Sequence, residues 1–226
     1  MKALLAIVLL VGMLHASSEQ FKMGENIYKQ TCMSCHGKDG GGNSGVSFIV
    51  NPRNLNKTVL TEKQSYIIIK EGAHAMGAAA DIMPSFKSVY NDRELRSVAH
   101  YMYKVFDPKA EQRIEELYSQ SDEVPQDKQV KMLKRGKKIY NRNCSWCHGK
   151  TGEGNGEATR NPEMSIFPYN LAKSLLDEKQ MFLYAKYGGK YWGTQKNDMP
   201  SWSKKYDDYT LKSVVKYIME EFKKEK

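Results

Sequence analysis

Apolar residues recur along this chain at helical intervals, and the intervals come in two matching sets. Leu95, Val98, Met102 and Val105 fall on one helix face behind Asp92, the expected cap. Leu211, Val214, Ile218 and Phe222 do the same behind Asp208, so each half is predicted to end in an amphipathic helix. Phe21 to Thr31 also has helical spacing. Thr61 with Gln64, and Asp177 with Gln180, have the capping-box pattern that opens a helix; Gly72 and Gly188 stand where those helices would close. Alternating strand patterns are scarce, so the expected fold class is all-α.

The two sets belong to one repeat. Gly24 and Tyr28 match Gly136 and Tyr140 at an offset of 112 residues, as do Lys38 with Lys150 and Asn43 with Asn155. Farther on the offset is 116: Pro52-Arg53-Asn54-Leu55 matches Pro168-Tyr169-Asn170-Leu171, and Met83-Pro84-Ser85-Phe86 matches Met199-Pro200-Ser201-Trp202. Four extra residues therefore fall between Asn155 and Pro168. Such a tandem duplication takes its insertion in a loop, where length changes are tolerated.

Lys2, the apolar run Ala3 to Leu14 and the small residues Ala16-Ser17-Ser18 have the form of a secretory signal peptide. The run is short of the about 20 residues a spanning helix needs, and no later stretch is apolar enough. The expected division is a signal peptide over 1–18, a first domain over 19–106, an acidic linker over 107–127 and a second domain over 128–226. The expected location is the periplasm of a bacterium, with no transmembrane segment in the mature chain. In the linker, Ala110, Ile114 and Leu117 have helical spacing between Pro108 and Pro125. A short helix on the second domain and a solvated tether both fit that pattern.

The chemistry sits in Cys32-Met33-Ser34-Cys35-His36 and Cys144-Ser145-Trp146-Cys147-His148, which use all 4 cysteines of the chain. One C-x-x-C-H unit alone would fit a redox dithiol or half a zinc site. Two, each closed by Gly and Lys, point to c-type haem: the thiols bond the porphyrin vinyl groups and the imidazole ligates the iron. Two covalently bound haem c groups are expected, on Cys32, Cys35, Cys144 and Cys147, with His36 and His148 as proximal ligands. With about 90 residues per domain the core is small, and 40% hydrophobic content is modest; a buried haem plate would complete it.

Charge separates the halves. Residues 19–106 carry 11 basic and 8 acidic side chains, residues 128–226 carry 21 and 11, and residues 107–127 carry 2 and 7. A basic second domain suits the steering of an acidic redox partner, and equally suits plain solubility. An exported haem protein has little occasion to meet nucleic acid.

These residues resemble the class I cytochromes c, in a two-module form similar to the dihaem cytochromes of the c-four type, over nearly the whole mature chain except the linker. The resemblance implies that Gly24 and Tyr28 meet Tyr101, that Gly136 and Tyr140 meet Tyr217, and that the Pro52 and Pro168 carbonyls accept from the proximal imidazoles. It also implies Met83 and Met199 as sixth iron ligands, 47 and 51 residues after His36 and His148. Both recur in register before a proline. Unrepeated His74 and His100 in the first domain, and Met164 or a lysine in the second, remain open as ligands. The linker is longer than in that type, which weakens the expectation that the modules dock alike.

The expected function is single-electron shuttling through two His/Met haems, with no catalysis. The partners implied are redox proteins, donor and acceptor, in membrane respiratory complexes with acidic docking surfaces. The alternatives are a dihaem oxidoreductase, or the electron-accepting cytochrome subunit of a periplasmic dehydrogenase.

Overall fold

A computed structural model describes residues 17–45, 52–77, 83–161, 168–194 and 199–223, with Met76 described by its backbone alone. The expected signal segment lies outside the described residues except for Ser17 and Ser18, which begin helix α1 (17–27). This helix passes unbroken into a π-helical turn, Tyr28–Cys32, and a last turn, Met33–His36, which stops at Gly37 with φ of 79°. Helices α2 (Glu62–Glu71) and α3 (Asp92–Phe106) complete the first copy, and α4 (Ala110–Ser119) lies in the connector. The second copy repeats the plan. Helix α5 (Met132–Ile139) runs into a π turn, Tyr140–Cys144, and a final turn, Ser145–His148. Helices α6 (Glu178–Tyr187) and α7 (Asp208–Glu221) complete it. Among the described residues none forms a strand. The fold is all-α.

The helix expected over 21–31 differs in its last turn, which widens from α to π before the first cysteine in both copies. The extra residue in that turn re-aims the cysteine–histidine turn beyond it, a recurrent use of π-bulges at functional sites. The final helices also begin one residue earlier than expected. Asn91, not Asp92, caps α3: its side chain accepts from Glu94 N–H while the Glu94 carboxylate accepts from Asn91 N–H. Asp207, not Asp208, caps α7 by accepting from Thr210 N–H. A cap needs extended backbone, and Asn91 (ψ 170°) and Asp207 (ψ 166°) have it. The displaced acids pair elsewhere, Asp92 with Lys70 and Asp208 with Lys186. The capping boxes Thr61/Gln64 and Asp177/Gln180 form as expected, and Gly72 and Gly188 close their helices.

Helix α3 packs on α1, and α7 on α5, through glycines. A Cβ at Gly24 would collide with the carbonyl of Ser97, and one at Gly136 with the carbonyl of Ser213. Backbone thus lies on backbone, and rings close around the contact. Tyr28 stands 5.5 Å from Tyr101 and 5.0 Å from Phe106; Tyr140 stands 5.5 Å from Tyr217 and 5.1 Å from Phe222. Such tilted pairs add roughly 1 kcal/mol each beyond their burial.

The connector does not hold the copies apart. Asn54 N–H donates to Gly193 O (2.9 Å) and Asn170 N–H to Gly77 O (2.7 Å), two bonds that exchange under the 116-residue offset. The amides of Gln64 and Gln180 bond each other at 2.8 Å in both directions. Gln64 also donates to Leu175 O and Gln180 to Val59 O, each at 2.7 Å. Each of these backbone and glutamine bonds has its repeat mate, so the copies meet about a local pseudo-twofold axis. Val59 and Ile68 of the first copy and Ile114 of α4 belong to the apolar core of the second.

Of the two arrangements the connector pattern allowed, it takes the seated helix. Glu115 pairs with Lys179 at 2.6 Å, and Tyr118 sets its edge on Phe182. Arg113 grips Asp107 bidentately (2.8 and 2.6 Å) and donates to Thr58 O (2.7 Å), fixing α4 to the first copy as well.

Candidate functional site

In the first copy, Cys32, Cys35, His36 and Met83 line one cleft, with Leu55 and Ile68 among its apolar wall. Its empty space, open mouth included, is about 1350 Å³. The π turn and the turn after it bring the two thiols and the imidazole to the wall, and the loop after α2 brings the thioether.

Both imidazoles are set the same way. His36 Nδ1 lies 3.2 Å from Arg53 O, and His148 Nδ1 lies 3.2 Å from Tyr169 O. A carbonyl only accepts, so the proton belongs on Nδ1 and the Nε2 lone pair is left for a metal. The acceptor is the carbonyl one residue past the expected Pro52 and Pro168. Nothing in the sequence separates neighbouring carbonyls of one extended turn; only the direction of the loop does. Burial pushes the pKa of both rings down, with the carbonyl bond working against it. Both are neutral near pH 7, as ligation requires. The preceding turn is tied down by Tyr28 Oη donating to Gly37 O (2.6 Å) and Tyr140 Oη to Gly149 O (2.7 Å).

Burial disfavours the redox-dithiol alternative at the first thiol of each pair. Burial, then the neighbouring Cys35, pushes Cys32 up to about 12; burial, then Cys147, pushes Cys144 up to about 12. Reactive dithiols need depressed values. Among the described residues no group of three or more His, Cys, Asp or Glu converges to hold a metal ion, as a structural zinc site would need. A neutral imidazole with Nε2 free, two thiols one helical turn apart and a thioether around one apolar cleft fit a covalently attached haem.

The methionine loops are anchored identically. Ala73 N–H donates to Met83 O (2.9 Å) and Gly189 N–H to Met199 O (2.8 Å). Ser85 Oγ donates to Lys70 O and Ser201 Oγ to Lys186 O, each at 2.7 Å. Phe86 N–H reaches Ile69 O, and Trp202 N–H reaches Ala185 O, each at 3.1 Å. Gly72 and Gly188 let these loops lie against the helix ends, since a Cβ there would press on the Met83 and Met199 carbonyls. The serines carry a positioning role that sequence reasoning missed, although their repetition in register was the available signal.

Of the other candidate ligands, His74 is exposed and does not line the cleft. His100 Nδ1 is bonded to Glu62 at 3.0 Å between α3 and α2. Met164 lies outside the described residues.

The profile of the family described as cytochrome c oxidase, cbb3-type, subunit III, matches residues 19–102 and 131–218. The chain belongs to that family. Its function is therefore electron transfer by a cytochrome, and the family implies covalently bound haem c. A relative, the cbb3-type cytochrome c oxidase subunit FixP of Azorhizobium caulinodans, is 24% identical over 201 residues. That alignment takes in 86% of this chain and 57% of the relative, so the chain spans little more than half of the relative's length. A chain of the Kuenenia stuttgartiensis reducing HAO-like protein complex is similar at 22% identity with a TM-score of 0.44, the alignment covering 88% of this chain and 94% of that one. Between the two cbb3-type segments lies the connector with α4. Among the described residues no helix is long and apolar enough to cross a membrane.

Proposed function

We propose that this cbb3-type family member holds two haems c and passes single electrons between respiratory partners in the periplasm. The observation that carries the reading is the cleft of the first copy, where Cys32, Cys35, His36 and Met83 converge. The repeated anchoring of His148 and Met199 extends it to the second copy. In this reading Cys32 and Cys35 would hold one haem through thioethers, and His36 and Met83 would ligate its iron. Cys144, Cys147, His148 and Met199 would do the same for the other.

When bound, each haem supplies an iron that takes up or releases one electron. The chain does the rest. The Arg53 and Tyr169 carbonyls fix the ring planes of His36 and His148 and raise their donor strength. The serine-anchored loops hold Met83 and Met199, whose soft, neutral sulfur favours the reduced iron and raises the potential. With a histidine and a methionine both given to the iron, little room would be left there for a substrate, which favours a carrier over an enzyme. Export is supported by the form of residues 1–18 and by the attachment chemistry itself, which takes place outside the cytoplasm.

A second reading, as a fixed subunit of a respiratory complex, is favoured by the family match and by FixP, whose name places it in an oxidase. The test begins with a haem count and an optical spectrum of the oxidised protein. Two haems per chain, each with the weak far-red methionine–iron band and neither binding carbon monoxide, are expected. Met83→Ala and Met199→Ala should each remove half of that band. A haem that binds carbon monoxide in the unmodified protein would sink the simple carrier. Gel filtration of native extract separates free carrier from fixed subunit.

A further inference from the structure

Arg53 stands at the junction of the copies, and among the described residues no carboxylate lies in an ion pair with it. Its Nη2 donates to Tyr169 Oη (3.2 Å) and Tyr184 Oη (3.0 Å), and the guanidinium lies 5.6 Å from the centre of each ring. Among the described residues these phenols are its hydrogen-bond acceptors, and no acid pairs with it. Neutral hydroxyls are weak compensation for a partly buried cation, which calls for a formal counter-charge. A guanidinium also has further N–H donors in a planar fork suited to a carboxylate.

The setting says where that carboxylate belongs. Arg53 lines the first cleft. The acid that also lines it, Asp107, is already gripped by Arg113 and accepts from Thr58 N–H. Among the described residues of its lining, the cleft therefore presents the Arg53 charge uncompensated to whatever fills it. The second copy has no equivalent, because the repeat mate of Arg53 is Tyr169.

We infer that Arg53 binds a carboxylate of the group held in the first cleft, a propionate of its porphyrin, and that this unmatched charge separates the potentials of the two haems. The inference rests on the two-haem reading above. A positive charge at the porphyrin edge disfavours the ferric state, which carries one more positive charge than the ferrous. It also cancels the propionate charge that would favour ferric iron. Both effects raise the first potential, and the same position in the second copy, Tyr169, carries no such charge.

The experiment is a potentiometric titration of the holoprotein and its variants, each with its haem count. Arg53→Gln should shift the reduction equilibrium of one haem at least tenfold toward ferric, about 59 mV for a one-electron couple, and move the other less than threefold. Arg53→Lys keeps the charge and should stay within threefold of the parent. Tyr184→Phe removes one phenol acceptor and should leave both potentials in place. Two haems with unmoved potentials in Arg53→Gln, or both shifted alike, overturn the inference. So does a shift in Tyr184→Phe equal to that of Arg53→Gln, since the phenol and not a carboxylate would then be the partner. Fewer than two haems in the parent protein overturn the functional reading itself. Should Arg53→Gln fail to load both haems, vibrational spectra of the parent decide. Its propionate carboxylate bands must separate into a guanidinium-bonded and an unbonded set, and a single set overturns the assignment.

Discussion

The two copies share their interior devices and differ where they face outward. Glycine contact, π turn, tyrosine-to-glycine hydrogen bond, imidazole-to-carbonyl bond and serine-anchored methionine loop all occur twice at the same offsets. On the outside of the leading helix the second copy has exposed Lys137, Lys138, Arg142 and Trp146. The first has Glu25, Asn26, Gln30 and Ser34 at those places. A packed position is bound by its neighbours on every side, so change there is costly. A solvated one is bound by little, and it is there that two copies of one scaffold can acquire different partners.

The largest effects should fall on the shared interior and strike both copies alike. Gly24→Ala and Gly136→Ala each force a Cβ into a backbone carbonyl and should cost about 3 kcal/mol, read as a lower denaturant midpoint. A loss under about 1 kcal/mol in one copy would mean its helices do not meet backbone to backbone. The junction comes next. Gln64→Ala and Gln180→Ala each strand a carbonyl (Leu175, partly buried, and Val59, buried) and an amide, costing about 2 kcal/mol apiece, and the double variant should lose less than the sum because the two share bonds. Full additivity would argue that the reciprocal amide pair is not formed.

The outward difference is tested by charge. Lys137→Glu with Lys138→Glu should slow electron transfer at a carboxylate-terminated electrode about tenfold at low ionic strength, with the effect fading in salt. Glu25→Gln should change little, and an equal response from the first copy would remove the proposed distinction. The smallest contrast is expected in acid. Burial holds His36 and His148 below the ordinary histidine pKa, so just under about pH 6.5 the folded state binds fewer protons than the unfolded chain. Stability from this source is full above that pH and declines as the pH falls toward the folded values. The denaturant midpoint of the haem-free chain, read by circular dichroism, should therefore be lower at pH 5 than at pH 7.

Much of this is legible along the chain. The capping boxes and terminal helices announce themselves because a cap and its partner lie within one turn. The duplication makes Met83 and Met199 stand out among 12 methionines. The caps of α3 and α7 fall one residue from their expected places because adjacent polar residues compete there and only backbone torsion chooses between them. The same ambiguity separates the expected histidine acceptors, Pro52 and Pro168, from the actual ones, Arg53 and Tyr169. Gln64 and Gln180 are visible as caps, but each has a second amide hydrogen-bonding capacity whose use across the junction no local pattern could reveal.

The sequence by itself determined the all-α class, the duplication, and the residue types available to each copy, because helical periodicity and fixed spacings act over a few neighbouring positions. Tertiary structure alone decided that the connector is a seated helix, that the copies meet about a pseudo-twofold axis, and that two phenols from the second copy receive Arg53 at their junction. Those outcomes depend on surfaces 55 or more residues apart in the chain, and contacts at that separation are fixed by how whole helices pack.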